Sequence, residues 1–179
     1  MSRVRIVGGQ WRSRLIDVAK APGLRPTPDR VRETLFNWLG QDLDGLRCLD
    51  LFAGTGILGF EAASRGAAHV SMVEYNPRVC AALRAAQITL QAAQVELIRG
   101  DALEFAHSCS RRFDVVFLDP PYNQGWLGRI EPLLGRLVEP EGWLYVESET
   151  ALTGLGGWAV AKRGRAGQVN FHLMQGTVE

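Results

Sequence analysis

Short apolar runs alternate with longer amphipathic stretches from about residue 40 onwards. Five runs have the length and composition of buried β-strands: 47–52, 69–74, 95–100, 113–119 and 143–147. Four stretches between them have the pattern of crossover helices: 57–66, 77–92, 102–109 and 126–138. Because strand and helix alternate strictly, the sequence predicts a doubly wound α/β sheet with mostly parallel strands.

The C-terminal end of the chain departs from this alternation. Two apolar runs, 158–162 and 169–174, flank the glycine-containing segment 163–167. Two strands around a short glycine-rich connection are typical of a hairpin. We therefore expect the last strands to join one edge of the sheet in antiparallel orientation.

The N-terminal end also departs from it. Segments 3–7 and 13–18 alternate apolar and polar residues around Gly8 and Gly9, which predicts a small β-hairpin with arginines on its exposed face. A helix follows, with Thr27 as its predicted cap and one apolar face that packs on the sheet. We expect two units: a basic hairpin arm over residues 1–24 and the main domain over residues 25–179.

Length and composition fit a single globular domain of 179 residues. No apolar run approaches the roughly 18 to 20 residues of a membrane span, and no signal-peptide hydrophobic region follows the first residues. The three cysteines and three histidines are scattered along the chain, so neither a disulfide framework nor a metal site is expected. We expect a soluble, cytoplasmic protein.

Positive charge is concentrated near the N-terminus. The first 32 residues hold eight Lys or Arg and two Asp, although the net charge of the chain is only +1. This asymmetry is expected when one end of a protein contacts phosphates. The candidate RNA-binding residues are Arg3, Arg5, Arg12, Arg14, Arg25 and Arg30. A solvated basic terminus is the alternative, and Arg25 and Arg30 could instead form salt bridges with Asp29 or Glu33.

A glycine-rich loop follows the first strand of the predicted sheet. Gly54, Gly56 and Gly59 form a G-x-G-x-x-G pattern, which lets a backbone turn sharply and approach a ligand closely. Glu74 ends the next strand, twenty residues after Gly54, where it can accept both hydroxyls of an adenosine ribose. Together these features predict an adenosine-containing cofactor.

Two further acids favour S-adenosylmethionine over a nicotinamide dinucleotide. Asp50 would repel a pyrophosphate but can hold an ammonium group directly or through water. Asp101, after the third strand, is placed to accept from the adenine amino group, or it simply caps the next helix. The predicted cofactor site also includes neighbours of these residues: Phe52, Thr55 and Ala102.

The strongest candidate for the acceptor site is the loop after strand 113–119. Asp119 and Tyr122 enclose Pro120 and Pro121, which stiffen the backbone and leave carbonyl oxygens free. The carboxylate and one carbonyl can accept both N–H groups of an exocyclic amine, and Tyr122 offers a face on which a base can stack. The alternative is an ordinary strand-ending turn with a surface tyrosine.

These residues resemble a known family, the bacterial 16S rRNA guanine-N2 methyltransferases that modify guanine 966. The likeness extends over almost the whole chain and is carried by segments 5–12, 24–39, 49–56, 117–122 and 164–169. Many amino methyltransferases share the glycine and Asp-Pro-Pro-Tyr motifs, whereas 25–39 is much more particular to this family. Two departures are mild: Thr55 stands where Ser is common, and Ser13 where Gly is common.

The resemblance implies a class I methyltransferase fold, which is Rossmann-like, with seven strands and the last one antiparallel. In that fold the first and fourth strands are neighbours, so 54–56 and 119–122 would line one cleft. It also implies S-adenosylmethionine as cofactor and 16S rRNA, in the small ribosomal subunit or its assembly intermediate, as substrate. Arg25 and Arg30 are then expected at the rim of the cleft, near the methionine carboxylate of the cofactor or near the RNA. No dimerisation element is visible, so we expect a monomer.

Three other functions stay open at this point. An amino methyltransferase acting on another base, such as adenine N6 in DNA, would use the same Asp-Pro-Pro-Tyr chemistry. A nicotinamide-dependent oxidoreductase could use the glycine loop, although no evident proton donor accompanies it. A noncatalytic RNA-binding module could keep the fold, although intact motifs on both sides of the cleft argue against it.

Overall fold

The computed structural model describes residues 2–177. The ends of the two expected units, Met1, Val178 and Glu179, lie outside this range. The strands are β1 (Ser2–Arg5), β2 (Leu15–Val18), β3 (Arg47–Asp50), β4 (His69–Glu74), β5 (Val95–Arg99), β6 (Phe113–Leu118), β7 (Val138–Ser148), β8 (Gly154–Leu155), β9 (Trp158–Ala166) and β10 (Val169–Gly176). The helices are α1 (Asp29–Leu39), α2 (Ile57–Ser64), α3 (Pro77–Leu90), α4 (Ala102–Ser108), α5 (Trp126–Ile130) and α6 (Leu134–Leu137). Within the described range, no helix has the length and apolar character needed to cross a bilayer.

Eight strands form one sheet in the order β5-β4-β3-β6-β7-β10-β9-β8, and β1 and β2 form a separate antiparallel hairpin. The pairs from β5 to β7 are parallel, whereas β10 is antiparallel to both β7 and β9. This arrangement confirms the expected doubly wound sheet with antiparallel strands at one edge. The two-residue strand β8 is an eighth member, too short to produce a periodic pattern.

Two expected local features are wrong. The stretch 126–138 is not one helix, because α5 ends before a 3₁₀ turn at Glu131–Leu133 and α6 follows. Pro132 lies in that turn, and proline removes a helical hydrogen bond. Thr27 does not cap α1, which begins after Pro28 without a side-chain cap. The Thr27 hydroxyl instead donates to the buried carboxylate of Glu147, at 3.0 Å.

The central strands are buried on both faces because helices cover both sides of the sheet. In β6, Val115 and Phe117 belong to the apolar layer beneath α1, α2 and α3. Val116 and Leu118 point to the opposite layer, beneath α4, α5 and α6. The carboxyl ends of the parallel strands therefore lie together at one edge of a rigid core.

The N-terminal hairpin is packed firmly against the rest of the protein. Its buried side chains lie in the same apolar cluster as α1 and α2: Val4, Ile6, Trp11, Ile16 and Val18. The Trp11 backbone N–H also donates to the hydroxyl of Ser64, at 3.0 Å. Trp11 thus packs the hairpin onto the domain, and its indole is not exposed for stacking on RNA.

A fully buried ion pair joins the hairpin to two helices. Arg32 of α1 donates to the carboxylate of Glu61 in α2 at 3.2 Å, and to the backbone carbonyl of Arg5 at 2.7 Å. Glu61 also accepts the backbone N–H of Val7 at 2.9 Å, and Arg32 further pairs with Asp29. Hairpin, α1 and α2 therefore share one network of charge-assisted hydrogen bonds.

We expect Arg32→Leu to lower the free energy of unfolding by about 3 to 5 kcal/mol, because it removes the hydrogen-bonded partner of the buried Glu61 carboxylate and leaves Arg65, at 3.9 Å, as its remaining ion-pair partner among residues 2–177. Urea denaturation measures this change. The matched control is Arg30→Leu, an exposed neighbour on the same helix, for which we expect a change of about 0.5 kcal/mol or less. A loss below about 1 kcal/mol for Arg32→Leu would contradict the importance given to the ion pair.

Candidate active site

The strand register brings the two predicted halves of the site together. Asp50 of β3 is paired with Phe117 of β6, so the glycine loop and the Asp-Pro-Pro-Tyr loop leave adjacent strands at the same edge. On the other side of β6, Leu118 is paired with Val146 of β7. The next residues along these strands, Asp119 and Glu147, consequently lie side by side.

The glycine loop depends on residues without a Cβ atom. Gly56 has a φ of 79°, and a Cβ there would lie 2.4 Å from a methyl carbon of Leu83. A Cβ on Gly59 would lie 2.4 Å from the terminal methyl of Met72, so this glycine allows α2 to approach β4. The third member, Gly54, has a φ of 55°. The spacing of the motif thus satisfies both the sharp turn and close helix–sheet packing.

Glu74 fixes the glycine loop from the neighbouring strand. Its Oε1 accepts the backbone N–H of Gly54 at 2.9 Å, and its Oε2 accepts that of Asn76 at 2.9 Å. A carboxylate has about four acceptor positions, so both oxygens can still accept further hydrogens. Glu74 therefore both shapes the loop and offers acceptors to a ligand.

Asp50 is completely buried beside this loop. No hydrogen bond of ordinary geometry reaches either of its oxygens among residues 2–177, although the backbone N–H of Gly59 is close enough to lower its pKa in part. Burial raises the pKa of Asp50 to about 8, and the nearby carboxylates of Asp119 and Glu74 add to the shift. A buried acid without a partner is costly, and a cationic ligand in the cleft would relieve the cost.

The other predicted cofactor residues lie around the same edge. Asp101 caps α4, since its Oδ1 accepts the backbone N–H groups of Leu103 at 2.9 Å and Glu104 at 3.1 Å. Its Oδ2 can still accept from a ligand, and the buried Ala102 follows it. Phe52 is half-buried, with its ring 5.3 Å from that of Trp126 in an edge-on contact. The last, Thr55, is buried in the turn before α2.

The acceptor end of the cleft contains two adjacent carboxyl groups, of which Glu147 is buried and Asp119 is half-buried. Asp119 and Glu147 lie within hydrogen-bonding reach of each other, and the hydroxyl of Thr27 donates to Glu147. Burial raises the pKa of Asp119 to about 6, and burial together with the Asp119 charge raises that of Glu147 well above its usual value. Two carboxyl groups this close do not both ionise readily, so we expect them to hold one proton between them at neutral pH.

Sequence reasoning missed Glu147, although a signal was present. Like Asp50 and Glu74, it is an acid at the carboxyl end of a predicted parallel strand. Its neighbour Asp119 stands out because two prolines follow it, whereas the importance of Glu147 depends on the pairing of β6 with β7. That pairing is a tertiary feature.

Tyr122 lies at the mouth of the cleft and is 37% exposed, so part of its side chain is accessible to a ligand. Burial and the charges of Asp119 and Glu147 raise the pKa of Tyr122 to about 12. The phenol thus stays neutral at physiological pH. In the same loop Pro120 is buried and Pro121 is exposed, which fixes the path of the backbone between Asp119 and Tyr122.

The six predicted RNA-binding arginines are all exposed. Arg3 pairs with Asp17 at 3.2 Å, while Arg5 and Arg14 donate to the backbone carbonyls of Ser13 at 3.3 Å and Thr89 at 3.2 Å. The other three are Arg12, Arg25 and Arg30. Asp29 is engaged by the buried Arg32, a residue that the sequence did not distinguish from its exposed neighbours.

Arg25 follows a residue that touches the glycine loop. The side chain of Leu24 lies 3.0 Å from the position that a Cβ on Gly54 would occupy. Segment 24–25 therefore passes the rim of the cleft, where the sequence placed Arg25.

Known proteins are similar to this chain over almost its whole length. The sequence model of a family described as Conserved hypothetical protein 95 matches residues 4–175. The chain belongs to this family. The ribosomal RNA small subunit methyltransferase D of Escherichia coli strain K12 is 42% identical over 183 residues, which cover 97% of this chain and 90% of that protein. Its namesake in Haemophilus influenzae is 40% identical over 96% of this chain and 93% of its own length.

A solved structure agrees with these relatives. The Escherichia coli protein yhhF superposes with a TM-score of 0.88 at 40% identity, covering 99% of this chain and all of that one. The resemblance, the fold and the enzyme class predicted from the sequence are confirmed: this family member is an S-adenosylmethionine-dependent methyltransferase. The nicotinamide-dependent oxidoreductase is thereby set aside.

We expect Asp50→Asn to stabilise the cofactor-free protein at about pH 8 and to weaken the binding of S-adenosylmethionine. The pKa of Asp50 is about 8 in the folded protein, whereas the usual pKa of an aspartate, which applies to the unfolded chain, is 3.8. Between these values the folded state holds a proton that the unfolded state releases, so stability falls as pH rises through this window. Asparagine removes this pH dependence together with the charge that attracts a cation.

Thermal melting at about pH 5, 7 and 8 measures the effect, and calorimetry measures cofactor binding. Because one pKa unit corresponds to about 1.4 kcal/mol, the variant should melt several degrees above the wild type at the highest pH. The difference in melting temperature between variant and wild type should become smaller at the lowest pH. The exposed Asp44→Asn serves as the control. Identical pH dependence in wild type and Asp50→Asn would contradict the assignment.

Proposed function

We propose that this enzyme methylates the N2 amine of a guanine in 16S rRNA, within the small ribosomal subunit or its assembly intermediate. Its relatives at 40–42% identity are named ribosomal RNA small subunit methyltransferase D, which supports rRNA as the substrate. The observation that carries the proposal is the position of unpartnered Asp50 beside Asp119 at the junction of β3 and β6. Asp50, which would attract a positively charged methyl donor, thus lies next to Asp119, which would accept hydrogens from an amine. We expect the enzyme to act in the cytoplasm as a monomer.

The residues of the glycine side fit S-adenosylmethionine. Asp50 would hold its amine, Glu74 its ribose hydroxyls and Asp101 its adenine amino group. The walls of the site would be Phe52, Gly54, Thr55, Gly56 and Ala102. When bound, the cofactor supplies an electrophilic methyl group on a sulfonium. The buried, unpaired Asp50 favours such a positively charged ligand over a pyrophosphate.

The residues of the acceptor side would position the amine. The N2 nitrogen of guanine is a weak nucleophile because its lone pair is delocalised into the ring. Asp119 and the Pro120 carbonyl would accept its two hydrogens and turn the lone pair towards the methyl group. Tyr122 would stack on the base after it leaves the RNA stack, and Pro121 would hold the loop rigid.

Asp119 need not act as a strong base. The amine attacks in its neutral form, and its proton becomes acidic only after the methyl group has arrived. At that stage Asp119, which would already accept one of the amine hydrogens, would be the acceptor nearest to the proton. Most of the rate enhancement would come from positioning and electrostatics.

We expect Asp119→Ala to retain S-adenosylmethionine binding and to lose methylation by at least about 100-fold, because it removes an interaction that orients the amine. Calorimetry and transfer of a labelled methyl group provide the two measurements. The control is Glu141→Ala. Glu141 is exposed and lies near the start of β7, whereas the active-site acid Glu147 lies near its end. An active Asp119→Ala enzyme would refute the role of this residue.

The substrate itself is tested by supplying labelled S-adenosylmethionine with small subunits, naked 16S rRNA or DNA in parallel. Nuclease digestion then identifies the product nucleoside. We expect N2-methylguanosine from one of the RNA substrates. N6-methyladenine in DNA would instead establish the rival amino methyltransferase.

The exposed arginines would bind phosphates of the RNA with strong salt dependence and little sequence information. We expect Arg12→Ala combined with Arg25→Ala to weaken RNA binding and to reduce the salt slope by about one per lost phosphate contact. Binding isotherms at several salt concentrations measure both effects.

The matched control removes the same charge elsewhere. Arg112 and Arg136 line a shallow depression at the amino ends of β6 and β7, whereas the cleft lies at the carboxyl ends of these strands. Arg112→Ala combined with Arg136→Ala should leave the slope unchanged. Equal effects of the two double variants would show that only net charge matters, and would refute a specific contact of Arg12 and Arg25 with RNA.

A further inference from the structure

Glu147 occupies a position that cofactor binding does not explain. It is buried at the end of β7, on the far side of Asp119 from the glycine loop. Its Oε2 accepts from the Thr27 hydroxyl at 3.0 Å, and its carboxyl group lies within hydrogen-bonding reach of Asp119. Its charge also acts on Tyr122, the residue at the mouth of the cleft. Glu147 therefore faces the acceptor half of the site.

The position of Glu147 is fixed by the core of the protein. The Thr27 carbonyl accepts a hydrogen bond from Nε of Arg32 at 3.0 Å, and Arg32 in turn is bound to Glu61. A side chain that is held through a buried network has little freedom to relax. Such rigidity is typical of groups that discriminate between ligands by hydrogen bonding.

Two carboxyl groups side by side match one nucleobase better than another. Guanine presents two adjacent donors on its Watson–Crick edge, N1–H and the N2 amine. Adenine presents the N6 amine beside N1, which is an acceptor. An acceptor oxygen next to Asp119 would therefore attract guanine at N1 and repel adenine there.

We propose that Glu147 determines specificity by accepting N1–H of the guanine whose N2 amine is held by Asp119. This inference rests on the proposed function. The proton shared by the two acids does not prevent it, because a protonated carboxyl group keeps acceptor capacity. The Asp-Pro-Pro-Tyr loop would hold the amine, and Glu147 would read the neighbouring ring position.

The test uses 2-aminopurine, which keeps the N2 amine but has an acceptor at N1. Small subunits are assembled with 16S rRNA that carries either guanine or 2-aminopurine at the methylated position. For the wild type we expect kcat/KM to be roughly 10- to 100-fold lower with 2-aminopurine, the range expected when a buried acceptor loses its donor.

Glu147→Gln should narrow or reverse this preference. Thr27 donates to the amide oxygen and Asp119 accepts from the amide nitrogen, so the side chain presents a donor to the base. A donor fits N1 of 2-aminopurine and clashes with N1–H of guanine. We expect the two substrates to differ by about 3-fold or less in this variant.

Two further variants guard against a merely structural effect. Thr27→Val keeps the Glu147 carboxyl but removes the bond that fixes it, so the preference should narrow partly. Glu141→Gln, exposed near the start of β7, should leave it unchanged. Melting curves and S-adenosylmethionine binding confirm that each variant is folded, and Thr27→Val still tests the idea if Glu147→Gln does not fold.

The outcomes separate this inference from the proposed function. If the wild type methylates neither base, guanine-N2 methylation itself fails. If it methylates guanine and 2-aminopurine equally, N1–H is not read, and the inference fails while the function stands. A wild-type preference that persists unchanged in both Glu147→Gln and Thr27→Val would assign the reading to another group and overturn the role of Glu147.

Discussion

The buried ion pair between Arg32 and Glu61 is the contact on which the rest of the molecule depends. It joins the N-terminal hairpin to α1 and α2, and it reaches the active site because Arg32 also binds the Thr27 carbonyl. Burying two charges costs several kcal/mol each unless hydrogen bonds compensate. Here backbone groups of Arg5, Val7 and Thr27 provide that compensation. The hairpin and the acceptor site are consequently parts of one rigid body.

The cost of burying charged groups also explains the chemistry of the cleft. An acid lies at or within two residues of the carboxyl end of each parallel strand: Asp50, Glu74, Asp101, Asp119 and Glu147. Glu74 and Asp101 are stabilised by backbone N–H groups, and their geometry is complete without a ligand. The other three, buried Asp50 and Glu147 and half-buried Asp119, have raised pKa values, which is unfavourable in the free protein. A cation and hydrogen-bond donors that enter the cleft would stabilise the ionised form of these acids. Part of the binding selectivity is therefore already present in the unliganded fold.

Much of this architecture was predictable because its signals are local. The alternation of apolar runs and helices gives the parallel sheet, and the glycine and Asp-Pro-Pro-Tyr motifs mark adjacent strand ends. What was missed depends on tertiary contacts. Arg32 has the same local character as Arg30, yet only Arg32 is buried. Glu147 matters because β7 pairs with β6, and the hydroxyl of Thr27 serves that buried acid instead of capping α1. No periodicity encodes such pairings.

The position of Glu147 also clarifies how one loop can serve different bases. Asp119 and the Pro120 carbonyl form acceptors for an exocyclic amine, and every base amine offers the same two hydrogens to them. Base selection must then come from groups that contact the neighbouring ring position. We propose that Glu147 of β7 contacts that position, whereas the loop that would hold the amine leaves β6. Methyl transfer and base choice are thus assigned to adjacent strands, and specificity can change through β7 without any change in the loop that performs the chemistry.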